Sequence, residues 1–163
     1  MDENIIEIVD LDKHNRKQAH AIGKAAIYQH WSMFSFLIAN RLDGFIIRVA
    51  MCDGEVAGYA AMVDLSSGWR IGSIAVAETH RNKGIGTQLI EDLADIARSR
   101  GAAFLLLEVR ESSSAARHLY SKMGFVEEKI VPRYYKTSAE IKRRTGKARE
   151  DAIVMRMALR GKN

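Results

Sequence analysis

The feature that most constrains this chain is a strand, loop, helix and strand unit across residues 69–109. WRIGSIAVA (69–77) and AFLLLEV (103–109) are apolar runs typical of buried strands. The stretch 87–100 between them carries one apolar stripe at helical spacing, formed by Leu89, Ile90, Leu93, Ile96 and Ala97. Gly101 follows where a helix C-cap is expected. Two strands joined through a crossover helix lie parallel, so the unit predicts an α/β fold.

Other elements flank this unit on both sides. Further strands are predicted at residues 5–9, 45–51, 55–63, 125–131 and 152–159, with an Asp53-Gly54 hairpin turn and a bulge at Gly58. Further helices are predicted at 13–31, at 33–40, and from a cap at Ser112 or Ser113 to Gly124, with Ala115, Leu119 and Tyr120 as apolar positions. The pattern predicts a mixed, mostly antiparallel sheet of about seven strands, a central parallel βαβ unit and helices on both faces.

Length and composition restrict the number of domains and the cell compartment that we expect for this chain. The 163 residues fit a single domain spanning 1–163. Cys52 is the only cysteine, so an intrachain disulfide and a cysteine zinc site are excluded, and a reducing compartment is expected. The N-terminal residues lack the apolar core of a signal peptide, and no stretch approaches the ~20 apolar residues of a membrane span. We expect a cytoplasmic protein with no membrane partner.

HRNKGIG (80–86) links the first parallel strand to the crossover helix. Free backbone N–H groups and the helix dipole make such a position an anion site. Gly84 and Gly86 let an anion approach without a Cβ in the way, and Arg81 and Lys83 add positive charge. The loop is therefore predicted to hold a pyrophosphate.

Three other interpretations of this loop are weaker. The P-loop pattern GxxxxGK[ST] is absent. A dinucleotide fingerprint needs a third glycine where this chain has Leu89. A glycine turn without a ligand stays open. The pattern Arg81-x-x-Gly84-x-Gly86 resembles the coenzyme A pyrophosphate loop of the GNAT N-acetyltransferase superfamily, whose element order agrees over residues 5–159.

Two further segments resemble one branch of that superfamily. LEVRESSSAARHLYSKMGF (107–125) is similar to a segment of the N-terminal protein acetyltransferases. VPRYY (131–135) and REDAIVM (149–155) resemble the C-terminal hairpin of that branch. It includes bacterial ribosomal-protein alanine N-acetyltransferases and the archaeal and eukaryotic catalytic subunits for N-alpha-acetylation. The resemblance implies acetyl-CoA as cosubstrate and a protein N-terminus as acceptor.

The resemblance also implies roles for individual residues. Glu108 matches the general base, acting through a water, and Tyr120 matches the general acid. The cofactor contacts carried over are the backbone of Ile74, Ala75 and Val76 for the pantetheine arm, the loop residues Arg81, Asn82, Lys83, Gly84, Ile85 and Gly86 for the pyrophosphate, and Ser113, where the family usually has asparagine. Tyr135 matches a residue that contacts the acceptor peptide, and Trp31 belongs to the opposite wall. In this family the two parallel strands open a wedge that holds the acetyl group.

Several alternatives accompany these assignments. The structural alternatives give these residues no catalytic or binding role. Glu108 then faces solvent or pairs with Arg110, and Tyr120 is an aromatic residue at the boundary of the core. Trp31 is then a core residue, and Tyr134 packs. The functional alternatives are a lysine side chain or small amine as acceptor, a nucleotide-binding module, and a non-catalytic acetyl-CoA-binding accessory subunit. No pair of histidines has metal-ligand spacing, so no metal is expected.

The segment 136–150 is longer than the family's usual connection between its last strands, and it carries six basic and two acidic residues. It is interpreted as a solvated loop, with contact to the ribosome, RNA or an acidic substrate as the alternative. Because aromatic residues do not alternate with these charges, sequence-specific nucleic-acid binding is not expected.

Overall fold

In the computed structural model, residues 3–26 and 31–159 are described. The strands are β1 (Ile6–Asp10), β2 (Phe45–Cys52), β3 (Glu55–Asp64), β4 (Trp69–Val76), β5 (Phe104–Arg110), β6 (Val126–Lys136) and β7 (Arg149–Ala158). The α-helices are α1 (Arg16–Ala26), α2 (Met33–Ile38), α3 (Ile85–Ser99), α4 (Ser114–Met123) and α5 (Ala139–Thr145), and a short 3₁₀ turn covers Glu78–His80.

The seven strands form one sheet in the order β1-β2-β3-β4-β5-β7-β6. Only β4 and β5 are parallel, and the other neighbours pair antiparallel. Asp53 (φ 51°) and Gly54 (φ 84°) form the hairpin turn between β2 and β3 in the left-handed region. The predicted sheet, with its central parallel βαβ unit, is confirmed.

Each face of the sheet is covered by helices. The apolar stripe of α3 packs on one face, where Leu89 and Leu93 join Leu105 and Met155 in the larger core. Helices α1 and α2 cover the other face, where Ala19 and Phe36 pack with Tyr59. Successive strand residues point to opposite faces, so the continuous apolar run of a central strand supplies both cores. The predicted helices on both faces are confirmed.

Two bulges shape the centre of the sheet. Between β2 and β3 the register shifts beside the predicted position, Gly58, where an added Cβ would lie 2.6 Å from the Ala75 carbonyl oxygen. Between β3 and β4, Ala61 pairs with Ser73 and Met62 with Ile71, which leaves Gly72 as the extra residue. Parallel pairing of β4 with β5 ends at Ile71. Because a bulge bends its strand, β4 separates from β5 at Gly72 and a wedge opens between them.

Two helix predictions need correction. Helix α1 is described over Arg16–Ala26, so it begins later than the predicted residue 13; Trp31 is not helical, and residues 27–30 of the predicted helix lie outside the described part. In α4, Ala115 and Leu119 are exposed, and the residues that pack on the core are Ala116, Tyr120 and Met123. The predicted apolar face was wrong at Ala115 and Leu119 and right at Tyr120, because a short helix with two adjacent alanines offers two overlapping stripes.

The basic segment is not the loop that was expected. It forms α5, while β6 extends to Lys136 and β7 begins at Arg149. Ser138 caps α5 by accepting a hydrogen bond from the Ile141 N–H at 3.2 Å, and Gly146 ends it at φ 72°. The sequence carried this signal, because a serine cap, Glu140 in the first turn, basic residues in the last turn and a final glycine favour a helix.

Candidate active site

A cavity of about 980 Å³ occupies the wedge between β4 and β5. Its walls come from the separating strands, from α4, from the end of β6 and from α5. It brings together five residues that the sequence assigned to the site: Trp31, Ile74, Glu108, Tyr120 and Tyr135. These residues are distant in sequence, and they meet because β4 and β5 separate at one point.

Glu108 lies on β5 with its side chain 18% exposed in this cavity. Its ion-pair partner is Arg70 on β4, with Nε 3.4 Å from Oε2. The alternative partner considered from the sequence was wrong, because Arg110 binds Glu150 at 2.9 Å. Sequence reasoning missed Arg70, since its approach to Glu108 depends on the parallel register that pairs Arg70 with Leu106.

Tyr120 is half-buried on α4 and lines the cavity. Its ring lies 5.9 Å from the Phe125 ring, between centroids, at the edge of the larger core. Burial raises the pKa of the Tyr120 phenol above its ordinary value. The phenol is therefore protonated near neutral pH, which is the state that a proton donor requires.

Tyr134 and Tyr135 form the wall next to Glu108. The Arg110 guanidinium lies over the Tyr135 ring, with Cζ 4.4 Å from the ring centroid. Burial first, and then the nearby Glu108 carboxylate, raise the pKa of Tyr135 to about 12. Tyr134 meets Tyr135 edge-on at 4.8 Å and is 41% exposed. Tyr134 was expected to pack, yet it lines the cavity as well.

Trp31 forms the opposite wall and also belongs to the core. Its ring packs against Phe45 with centroids 4.9 Å apart, in the smaller cluster. It lies directly over Gly72, where an added Cβ would be 2.5 Å from Trp31 Cζ2. Gly72 therefore serves two purposes, since it forms the bulge in β4 and leaves room for the tryptophan. Trp31 is therefore both a wall of the cavity and a core residue.

The glycine loop precedes α3 and is open to solvent. Asn82 (φ 62°) and Gly84 (φ 78°) adopt left-handed conformations, and Gly84 is the N-cap without a side-chain hydrogen bond. The first-turn N–H groups of a helix have no intrahelical partner, so they remain available to an anion. A Cβ at Gly86 would meet only Val76 Cγ2, at 3.9 Å, so the approach to the loop is open. This geometry fits a pyrophosphate.

Among the other assigned residues, Ile85 and Ala75 can offer only backbone groups to a ligand. Ile85 is 1% exposed and Ala75 is also buried, so both side chains belong to the core. Arg81 donates from Nε to the Val76 carbonyl at 3.4 Å, while Lys83 is exposed. Past Ile71, β4 no longer pairs with β5, and of Ile74, Ala75 and Val76 only Ile74 is among the residues that line the cavity.

Ser113 differs from the other cofactor assignments. It occupies the predicted N-cap position of α4, but its hydroxyl makes no capping hydrogen bond. It also lies outside the residues that line the cavity. The predicted contact of Ser113 with the cofactor therefore lies beyond the cavity in the wedge.

Two general features of the molecule complete this description. Within residues 3–26 and 31–159, no group of three or more His, Cys, Asp and Glu side chains is arranged to hold a metal ion. In the same ranges, none of the helices combines the length and the apolar character that crossing a bilayer requires.

Comparison with known proteins agrees with this geometry. The acetyltransferase (GNAT) family matches residues 5–125. The [ribosomal protein bS18]-alanine N-acetyltransferase of Escherichia coli K12 is 31% identical over 156 residues, which cover 94% of this chain and 95% of that protein. The crystal structure of the ribosomal-protein-S18-alanine N-acetyltransferase from Escherichia coli superposes with a TM-score of 0.83 at 30% identity, covering 98% of this chain and 97% of that one.

An archaeal relative gives the same result. The N-alpha-acetyltransferase of Sulfurisphaera tokodaii is 37% identical over 127 residues, covering 70% of this chain and 76% of that protein. The wedge between β4 and β5, the open glycine loop and these similarities lead to one conclusion. This chain belongs to the acetyltransferase (GNAT) family.

Proposed function

We propose that this protein transfers an acetyl group from acetyl-CoA to the N-terminal α-amine of proteins, ribosomal or nascent, in the cytoplasm. The observation that carries the proposal is the position of Glu108, in the open wedge and next to Tyr135. The relatives that are named for N-terminal acetylation cover most of this chain, which supports the same acceptor.

The proposed mechanism starts with the acceptor amine. A free α-amine has a pKa of about 7.7–8.0, so a useful fraction is neutral near physiological pH. Glu108 removes the remaining proton through a water as the nitrogen attacks the acetyl carbonyl carbon. Acetyl-CoA, when bound, supplies that carbon as a thioester.

The remaining groups act as the carbon–sulfur bond breaks. The Val76 N–H is the proposed donor to the oxygen that becomes negative, because backbone donors at such a position need no reorganisation. Tyr120 donates its phenol proton to the departing sulfur, and its burial keeps that proton in place near neutral pH. The pyrophosphate lies on the loop 81–86, and Ser113 contributes at the start of α4.

The proposed acceptor channel runs between Trp31 on one side and Tyr135 on the other. Both side chains line the cavity, and so does Ile141 of α5. These walls suit an extended peptide whose first residue reaches Glu108. The acceptor is thus a chain terminus that can enter the channel end-on.

The outer face of α5 is the candidate for ribosome contact. Lys142, Arg143 and Arg144 are exposed there, on the helix that borders the acceptor channel. Exposed cations of this kind bind phosphate backbones in a salt-dependent way. Reversing all three charges is expected to weaken co-sedimentation with ribosomes and to leave acetylation of short peptides unchanged. Equal co-sedimentation of both proteins would remove the ribosome from the proposal.

The test of the reaction is thiol release from acetyl-CoA with short peptides. The panel has free N-termini beginning with Met, Ser, Ala or Thr, and a blocked peptide with an internal lysine. Turnover is expected on free N-termini only, and Glu108→Gln is expected to reduce it at least tenfold, the scale of general-base catalysis being ~10²–10⁴. Glu91→Gln, on the exposed side of α3, is the matched control.

Each other outcome has a definite meaning. Turnover of the blocked lysine peptide alone would replace the α-amine by a lysine as acceptor. Binding of acetyl-CoA without turnover of any peptide would favour a small amine or the accessory-subunit alternative. Displacement of CoA by ATP or NAD would contradict the cosubstrate.

A further inference from the structure

Tyr134 and Tyr135 are neighbours in β6, yet both line the same cavity. In a regular strand, successive side chains point to opposite faces of the sheet. One of the two rings would then face away from Glu108. The backbone of β6 must therefore depart from regular geometry close to the tyrosine pair.

The departure is a bulge of two extra residues. Val131 pairs with Ala152 and Tyr135 pairs with Glu150, so β6 advances four residues while β7 advances two. Arg133 lies inside the bulge with φ 54°, in the left-handed region that disfavours side chains other than glycine. Such a conformation persists only where neighbouring groups hold it.

Two side chains of β7 hold this bulge. The Asp151 carboxylate accepts a hydrogen bond from the Arg133 N–H at 2.9 Å. Arg149 donates from Nη1 to the carbonyl oxygens of Arg133 and Tyr134, at 3.3 and 3.2 Å. All three backbone groups lie in the bulge, where the ladder is interrupted.

Glu150, which lies between Arg149 and Asp151 on β7, acts on Tyr135 through Arg110. Glu150 is buried and pairs with Arg110 at 2.9 Å, and the Arg110 guanidinium covers the Tyr135 ring. The first three residues of β7 therefore fix both parts of the wall. Arg149 and Asp151 fix the backbone of the bulge, and Glu150 fixes the ring of Tyr135 through Arg110.

We infer that Asp151 and Arg149 are positioning residues that hold the β6 bulge so that Tyr134 and Tyr135 both face the acceptor channel. The inference rests on the proposed function, since it assigns the tyrosine pair to the acceptor. Without Asp151 the strained Arg133 relaxes toward a regular strand. A regular strand turns one ring to the opposite face, which opens the channel wall.

The experiment measures steady-state kinetics of Asp151→Ala and Arg149→Met with a peptide acceptor. The KM for the peptide is expected to rise about tenfold, the scale for loss of one charge-assisted hydrogen bond. The kcat and the KM for acetyl-CoA are expected to change less than about twofold, because the glycine loop and Glu108 are untouched. Arg156→Met is the matched control on the same strand, where Arg156 covers Phe104 away from the bulge.

A second substitution separates positioning from a general loss of structure. Arg133→Gly in the Asp151→Ala protein is expected to restore the peptide KM to within about threefold, because glycine adopts positive φ without strain. Arg133→Met in the same background removes the same charge without that freedom and is expected not to restore it. Failure of the glycine variant to rescue, or an equal rise in both KM values, would overturn the inference.

A readout that needs no turnover keeps the two proposals apart. Amide exchange of Arg133, followed by NMR, is expected to be at least tenfold faster in Asp151→Ala than in the unmodified protein. Unchanged exchange would overturn the role of Asp151 even if acetylation is confirmed. If no peptide is acetylated, the proposed function fails, while the exchange result still decides how the bulge is held.

Discussion

At the scale of single residues, the site is a row of alternating charges that crosses three strands. Arg70 on β4 pairs with Glu108 on β5, and Arg110 on β5 pairs with Glu150 on β7. The Tyr135 ring lies against Arg110 and close to Glu108, which joins the two pairs. Each charge faces an opposite one, and the carboxylate proposed as base stays partly open to the cavity.

Tyr120 gives the residue-scale prediction. Tyr120→Phe keeps the ring that packs on Phe125 and removes only the hydroxyl. We expect kcat to fall several-fold without loss of turnover, because a thiol with pKa about 8.5 is a fair leaving group without an acid. The measurement is kcat with a peptide acceptor, and Tyr134→Phe is the control for loss of a hydroxyl in the same cavity. An unchanged kcat in Tyr120→Phe would contradict the acid role.

At the scale of elements, the loop 81–86 and the start of α3 form one unit. Gly84 needs its positive φ of 78°, so alanine there is strained, by roughly 1–2 kcal/mol. Gly86 has no such need, and an added Cβ would have ordinary contacts. Gly84 therefore allows a left-handed backbone conformation, whereas Gly86 leaves the approach to the loop open.

Gly86→Ala tests access without disturbing the fold. We expect an unchanged melting temperature, because the first turn of α3 accepts alanine readily. The KM for acetyl-CoA is expected to rise about tenfold or more, since the new Cβ occupies the approach of the pyrophosphate. The peptide KM serves as the internal control and stays constant. A variant with normal acetyl-CoA affinity would show that the anion lies elsewhere.

At the scale of the whole molecule, stability should fall in alkaline solution. The pKa values of Tyr59, Tyr120 and Tyr135 are all raised, mainly by burial, and that of Tyr135 reaches about 12 from an ordinary 10.0. A raised pKa means that the folded state binds the proton more tightly than the unfolded state. This contribution is complete below pH ~10, the pKa of an unfolded tyrosine, and disappears as pH rises toward 12.

Melting temperatures measured from pH 8 to 12 check this expectation. The unmodified protein should lose stability steadily above pH ~10. Tyr135→Phe cannot ionise at this position, so its melting temperature should fall less over the same interval. Parallel curves for the two proteins would contradict the assignment to Tyr135.

Sequence patterns predicted the helices and strands more accurately than the contacts between them. The strands and the crossover helix followed from apolar periodicity, and the wedge residues Glu108, Tyr120 and Tyr135 followed from motif resemblance. Arg70 could not be identified, because its partner lies on a neighbouring parallel strand. The prediction that Ala115 and Leu119 of α4 are buried was wrong for a related reason, since only packing against the sheet decides which of two neighbouring stripes is covered.

The sequence by itself determined the parallel βαβ unit, the hairpin at Asp53-Gly54 and the open glycine loop, because each depends on residues close together in the chain. Only the tertiary structure decided that β4 leaves β5 at Gly72, that Arg70 meets Glu108 and that both tyrosines face one cavity. Those outcomes depend on register and bulges between strands. Register is a property of two segments packed together, and neither segment contains it alone.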